Sequence, residues 1–381
     1  MDPRSNLPGR PALDPLISLW FYVGIAVALR RWRRASGLLP LLWAGVMLLT
    51  TVLSEFAPHF RRSVGAAPAV ALLIGMGMAW MWERVKAQPT PWSRWLVAVL
   101  LLATGLGSTA ITARDYFARW GALPDLYYAY DEGLWELGQY AASLSGKGDV
   151  YLTPRPADHT TLAFAWREGG AAETFDGRWI FPFRTAADRD QHYLVIEHED
   201  FRTRLLIKDL FPQVEIVHEF LDRSGNVYAR HYRVPAGMEA APVTQVASGA
   251  RWPGVVLESY SLLPERPKPG GVLYVRLLWR VDDAAQLGDW TTFVHLLDAR
   301  VPTQAIAAVD KRPGDGSYGT ERWKTGQRIV DEYQVPIPAG LRPGEYLVEL
   351  GFYDQAGQRQ PVIVDGQSAD HMLLGPIEVG P

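Results

Sequence analysis

The sequence contains no cysteine among its 381 residues, which excludes disulfides and thiolate metal sites and leaves any exported portion to be held by hydrophobic cores. It also lacks a serine-nucleophile motif, a P-loop and a basic nucleic-acid patch, so none of those chemistries can be read from it. A cleavable signal peptide is not expected, because the first apolar run is followed by arginines instead of a small-residue cleavage site. Overall charge is small, at −3, but this average conceals an uneven distribution. Residues 1–113 carry eleven Arg/Lys against four Asp/Glu, or +7, and the remainder carries 27 against 37, or −10.

The positive part holds four apolar stretches, at about 16–30, 38–54, 64–82 and 95–113. The last two approach the roughly 20 residues that cross a bilayer as a helix, and the first two fall short but have flanks to extend them. A buried soluble bundle is the alternative, yet its helices would carry polar stripes, whereas here the polar residues cluster between the runs. The expectation is four membrane helices over residues 1–114. Arg30, Arg31, Arg33 and Arg34 follow the first run, and Arg84, Lys86 and Arg94 follow the third. By the positive-inside rule those two links face the cytoplasm, and everything after about residue 114 lies outside.

Beyond the fourth run the pattern changes. "DEGLWELGQYAASL" has helical spacing, "DVYLT" and "HYLVIEH" read as strands, and "DFRTRLLIKDLFP" reads as a helix ended by Pro212. "VEIVHEFLD", "RSGN" and "VYARHYRV" read as a hairpin. These elements predict an α/β domain over residues 115–237, followed by a linker at 238–249. From 250 to 381 the helical signal disappears. "VLYVRLLWR" and "YLVELGFYD" alternate cleanly between turn clusters, which predicts an antiparallel β-sandwich.

Several local signals carry a functional reading beside a plainer one. "GDGSYG", Gly314 to Gly319, has the letters of a dinucleotide fingerprint but lacks the following helix, so a turn is expected. "HEFLD" has no second histidine for a zinc protease. Asp282 and Asp283 read as a solvated turn more readily than as calcium ligands. Trp290, Tyr318 and Trp323 are candidates for stacking on sugar rings, against the commoner reading of core packing. "LSEFAPHFRRSVGAAP" places Glu55, His59, Arg61 and Arg62 between two apolar runs. The cations there can donate charge-assisted hydrogen bonds to a lipid phosphate while Glu55 orients one of them, or they can simply snorkel to headgroups.

The stretch "SNLPGRPALDPLISLWFYVGIAVALRRWRR", with "LWAGVMLLTTVLSEFAPHFRRSVGAAPAVALL" after it, resembles the C-terminal part of bacterial GT-C class membrane glycosyltransferases of family 39, the dolichyl-phosphate-mannose protein mannosyltransferase group. "DVYLTPRPADHTTLAF", "TFDGRW" and "YLVIE" are similar to their extracytoplasmic α/β domain, and "RWKTGQRIVDEYQVPIPAGLRPGEYLVELGFYD" looks like an attached sandwich. The resemblance implies a bilayer-embedded enzyme that takes sugar from a polyprenyl-phosphate donor. It also implies that His59, Arg61 and Arg62 neutralise the donor phosphate. The family's catalytic acid lies in a first outer loop with no counterpart here, and neither Asp14 nor Glu55 matches it. The resemblance therefore implies a fragment whose membrane half lies upstream, with no cofactor identified and a divalent metal left open for the complete enzyme. The competing expectation is a non-catalytic, membrane-anchored module that binds envelope glycan or protein. A sensor ectodomain ranks behind both, for want of a cytoplasmic signalling segment.

Overall fold

The structure, a computed structural model, describes residue 4 and residues 6–53, 60–242 and 245–380, with the backbone alone described for Phe60, Arg61 and Thr303. It divides into two compact units, Met1–Glu132 and Gly133–Pro381.

The first unit is helical. Its helices are α1 (Pro15–Arg30), α2 (Ala35–Val52), α3 (Ala67–Lys86), α4 (Pro91–Ala113) and a short α5 (Leu126–Ala129). Proline opens α1 and α4, where its missing N–H costs nothing, and Asp14 caps α1 by accepting from the Leu16 and Ile17 amides at 2.9 and 3.2 Å. A 3₁₀ helix, Phe60–Ala66, runs into α3, and α4 continues as a π-helix, Arg114–Trp120. Among the described residues, three helical segments are long and apolar enough to cross a membrane: Ala35–Val52, Arg62–Lys86 and Pro91–Trp120. Pro15–Arg30 is apolar but shorter; its 16 residues rise about 24 Å, against a hydrocarbon core of roughly 30 Å.

Small residues let α1 and α3 meet backbone to backbone. A Cβ on Gly24 would lie 1.7 Å from the Leu73 carbonyl oxygen, and one on Gly77 would lie 2.2 Å from that of Trp20. Such close approach is how helices associate in lipid, where apolar burial offers no drive. Because the links at residues 31–34 and 87–90 are short, successive helices alternate in direction. Residues 4, 6–14, 60–66 and 114–130 therefore gather at one end of this unit, and the two arginine-bearing links gather at the other.

The second unit is β-rich and mostly antiparallel. It begins with α6 (Glu132–Ser143), β1 (Asp149–Thr153), α7 (Thr160–Ala165), β2 (Glu173–Thr174), β3 (Ile180–Phe183), β4 (Gln191–Val195) and α8 (Phe201–Leu210). The hairpin of β5 (Glu215–Leu221) and β6 (Val227–Val234) follows. Its turn is built by Asp222, whose carboxylate accepts from the Ser224 and Asn226 amides at 2.8 and 2.9 Å. The sheet order β2-β1-β4-β6-β5 is mixed, with β1 parallel to both β2 and β4.

The remaining strands are β7 (Val246–Trp252), β8 (Val255–Leu263), β9 (Val272–Val281), β10 (Thr291–Asp298), β11 (Val301–Lys311), β12 (Arg328–Pro336), β13 (Gly344–Tyr353), β14 (Val362–Val364), β15 (Gln367–Ala369) and β16 (Met372–Val379). They form one sheet of order β11-β10-β13-β16 and another of order β15-β14-β7-β8-β9-β12-β3. The alternation in β9 and β13 buries Leu273, Val275, Leu277 and Trp279 on one and Tyr346, Val348, Leu350 and Phe352 on the other. Trp279 and Phe352, from different sheets, meet with ring centroids 5.0 Å apart.

Three boundaries expected from the sequence change. The segment after residue 114 continues the helical unit, since the π-helix carries the last long helix on to Trp120. The α/β part is not a separate domain: β3 leaves it to pair with β12, and one core runs from Tyr193 through Trp279 to Leu350. The linker expected at 238–249 already contains the start of β7, at Val246.

Candidate functional site

At the end of the helical unit that holds residues 6–14, a cleft of about 380 Å³ opens between the N-terminal segment and the π-helix. Its floor is set by a turn at residues 7–10. Pro8 supplies the restricted φ, Gly9 takes φ +78°, and the Arg10 amide closes the turn on the Leu7 carbonyl at 3.1 Å. Asn6 holds the same turn from both sides, accepting from the Leu7 amide at 2.9 Å and donating to the Arg10 carbonyl at 3.3 Å.

This turn projects Arg10 toward the end of α4. Its Nε donates to Asp115 Oδ2 at 2.9 Å, and its Nη2 donates to Thr112 Oγ1 at 3.1 Å. Arg119 reaches the other oxygen of Asp115 at 3.1 Å, and Arg114 lies at 3.7 Å. The π-helix sets this spacing, with the Gly121 amide bonded to the Tyr116 carbonyl at 3.0 Å, and such widened turns recur at functional sites. Three guanidiniums thus surround one buried carboxylate, leaving the cluster with surplus positive charge.

Aromatic rings form the other wall. Tyr116 and Trp120 stack with centroids 4.9 Å apart, Tyr130 meets Trp120 edge-on at 6.2 Å, and the Tyr130 hydroxyl donates to the Arg4 carbonyl at 3.1 Å. A cationic floor beside an aromatic wall suits a phosphate that carries a ring or chain.

The carboxylates are already engaged. Asp14 caps α1 and also accepts from the Ser108 hydroxyl, while Asp115 is held by its arginines. Each carboxylate thus has a structural role, Asp14 at the start of α1 and Asp115 at the centre of the arginine cluster. Among the described residues, no group of three His, Asp or Glu side chains is placed to hold a metal ion.

The residues singled out from sequence fall differently. Glu55 and His59 lie outside the described residues, and Arg61 is described by its backbone alone. Arg62 is exposed at the same end of the helical unit, on the 3₁₀ helix, where its carbonyl accepts from Thr50 Oγ1 at 3.2 Å.

Trp290, Tyr318 and Trp323 are 5%, 0% and 3% exposed, so none presents a ring face to a sugar. They pack instead: Trp290 meets Phe352 at 5.5 Å, Tyr318 donates to Glu173 at 2.8 Å, and the Trp323 indole donates to the Tyr318 carbonyl at 3.0 Å. "GDGSYG" forms a turn in which Gly314 and Asp315 both have positive φ, and His218 lies on the strand β5. Asp282 pairs with Arg280 at 2.7 Å and Asp283 caps a short 3₁₀ turn.

Sequence reasoning missed Arg10 and Asp115. The available signal was the charges bordering the outermost apolar runs, Arg10 and Asp14 before the first and Arg114 and Asp115 after the last, at the same end by helix alternation. The chain matches no protein-family model and no curated protein.

Proposed function

We propose that the chain is the donor-binding portion of a bacterial membrane glycosyltransferase that uses a sugar carried on polyprenyl phosphate. In this reading four helices, α1 included, lie in the cytoplasmic membrane, and the arginine-bearing links face the cytoplasm. The cleft end then faces outward, as does the second unit, whose four- and seven-stranded sheets form a β-sandwich. The observation that carries the reading is the excess of guanidinium around Asp115 beside the Tyr116 and Trp120 rings, at the end of apolar helices.

The chemistry asked of these residues is electrostatic. As the sugar leaves, charge accumulates on the lipid phosphate, and fixed guanidinium donors stabilise that charge more than they stabilise the intact donor. Arg10 in the cleft is assigned this role, together with His59, Arg61 and Arg62, which the sequence places between the second and third apolar runs. The acid–base step is assigned to neither Asp14 nor Asp115, whose acceptor roles toward Ser108 and the arginines are structural.

That same commitment favours a second reading, a membrane-anchored module that binds without catalysing. The two separate in one experiment: membranes containing the chain are incubated with radiolabelled polyprenyl-phosphate sugar, and retained and transferred label are counted. Retention above chain-free membranes supports the donor-binding reading. Retention no greater than in those membranes, with envelope glycan bound instead, supports the anchored module.

A further inference from the structure

The opposite end of the helical unit carries its own cleft, of about 470 Å³, between the C-terminal ends of α1 and α3. Its polar lining is Arg31, Arg84 and Glu83, and its apolar lining comes from Met76, Ala79 and the Trp80 ring. The Arg84 guanidinium lies over the Trp80 ring, its carbon 4.9 Å from the ring centroid. A guanidinium carries five N–H donors in its own plane, so contact with a ring leaves donors for an anion. No ion pair among the described residues holds Arg31 or Arg84.

The surroundings reinforce this charge. Arg30, Arg33, Arg34, Lys86 and Arg94 border the same end, where Glu83 is the single acid in residues 30–34 and 80–94. Several of these are otherwise occupied: Arg33 lies over Trp32 at 5.3 Å, and Arg94 donates to the Lys86 and Gln88 carbonyls at 3.1 and 3.2 Å. Arg31 and Arg84 are thus the pair that faces a common cavity.

We infer that this cleft is a binding site for the head group of an anionic membrane phospholipid, with the phosphate between Arg31 and Arg84 and an acyl chain along Met76 and Ala79. A phosphate alone would use the arginines and leave the apolar wall wet. A zwitterionic lipid would use the wall but offset its phosphate with its own ammonium, leaving the two cations under-compensated. An anionic lipid satisfies both, and basic pockets between membrane helices select such head groups. The inference rests on membrane insertion of α1 and α3 and is independent of any glycosyl transfer.

The test uses the full chain in detergent, with thermal unfolding followed on adding phosphatidylglycerol, phosphatidylcholine or inorganic phosphate, and native mass spectrometry counting retained lipid. Phosphatidylglycerol is expected to raise the midpoint and to stay bound, with affinity reduced at least tenfold in Arg31→Gln/Arg84→Gln. The charge-matched variant Arg33→Gln/Arg34→Gln should keep most of the affinity. Equal losses in both variants would show diffuse attraction and overturn the site. An equal effect of phosphatidylcholine, or full reproduction by inorganic phosphate, would overturn the anionic-lipid occupant. Because these arginines are exposed, unfolding of the double variant is not expected, and an unchanged midpoint without lipid verifies this.

Discussion

Arg10 donates through Nε to Asp115 Oδ2 over 2.9 Å, joining positions 105 residues apart. The bond ties the segment before α1 to the π-helix after α4, and so closes the helical unit at one end. It also places a cation at the mouth of a cleft without leaving it bare, since Asp115 balances part of its charge. An incoming phosphate can share Arg10 because Asp115 retains Arg119 at 3.1 Å.

The α1–α3 contact predicts intolerance at Gly24. Gly24→Leu places a side chain where a Cβ alone would lie 1.7 Å from the Leu73 carbonyl, and backbone cannot yield cheaply there. The yield of monodisperse protein in detergent is expected to fall several-fold. Gly45→Leu, where nothing lies within 4 Å, should leave it unchanged.

A histidine chain in the second unit gives a pH prediction. His192 Nδ1 and His231 Nε2 are 2.9 Å apart, and His231 Nδ1 is 3.0 Å from the Tyr140 hydroxyl. Burial pushes the His231 imidazole down to about 4 from its ordinary 6.5, and burial lowers His192 as well. At pH 7 the folded chain leaves His231 neutral, and the unfolded chain protonates it only in about a quarter of molecules. Between about 6.5 and 4 the unfolded chain takes a proton that the folded one refuses, so stability falls as pH falls through that window. His231→Gln should flatten this slope in unfolding midpoints measured from pH 7 to pH 4.5.

Asp331 has the opposite sign. It is fully buried, accepting from the Gly314 amide at 3.1 Å and from the Tyr333 hydroxyl. Burial pushes its carboxyl up to about 6 from 3.8. The unfolded chain ionises first, so stability is lost as pH rises from about 3.8 to 6. Asp331→Asn keeps an acceptor for Gly314 and removes that loss. Its midpoint at pH 7 should equal or exceed that of the wild type, while at pH 4 the gain should vanish. A variant less stable at pH 7 than at pH 4, relative to wild type, would contradict the assignment.

Much of this architecture could be read from local pattern. The apolar runs located the long helices, and the alternation of Leu273, Val275, Leu277 and Trp279 located a strand with one buried face. What escaped was non-local. Nothing in "WIFPF" announces that β3 will leave its neighbours to pair with β12, because pairing partners are chosen by tertiary packing. The π-helix escaped because Arg114 and Asp115 look like the end of an apolar run, when they begin a further seven-residue turn segment. Trp290, Tyr318 and Trp323 show the same limit from the other side, since an aromatic side chain in a β-rich stretch reads alike whether its ring faces solvent or the core.

The central claim is that the Arg10 cleft binds a lipid-linked sugar phosphate, and its most direct test is donor affinity. Equilibrium binding of radiolabelled polyprenyl-phosphate sugar would be measured for the full chain in lipid nanodiscs, for Arg10→Gln, and for Arg94→Gln as a charge-matched change at the opposite end. Loss of one charge-assisted hydrogen bond, worth about 1.5–3 kcal/mol, predicts roughly 10- to 150-fold weaker binding for Arg10→Gln. Arg94→Gln should bind as the wild type does. Equal affinity for all three proteins would contradict the claim.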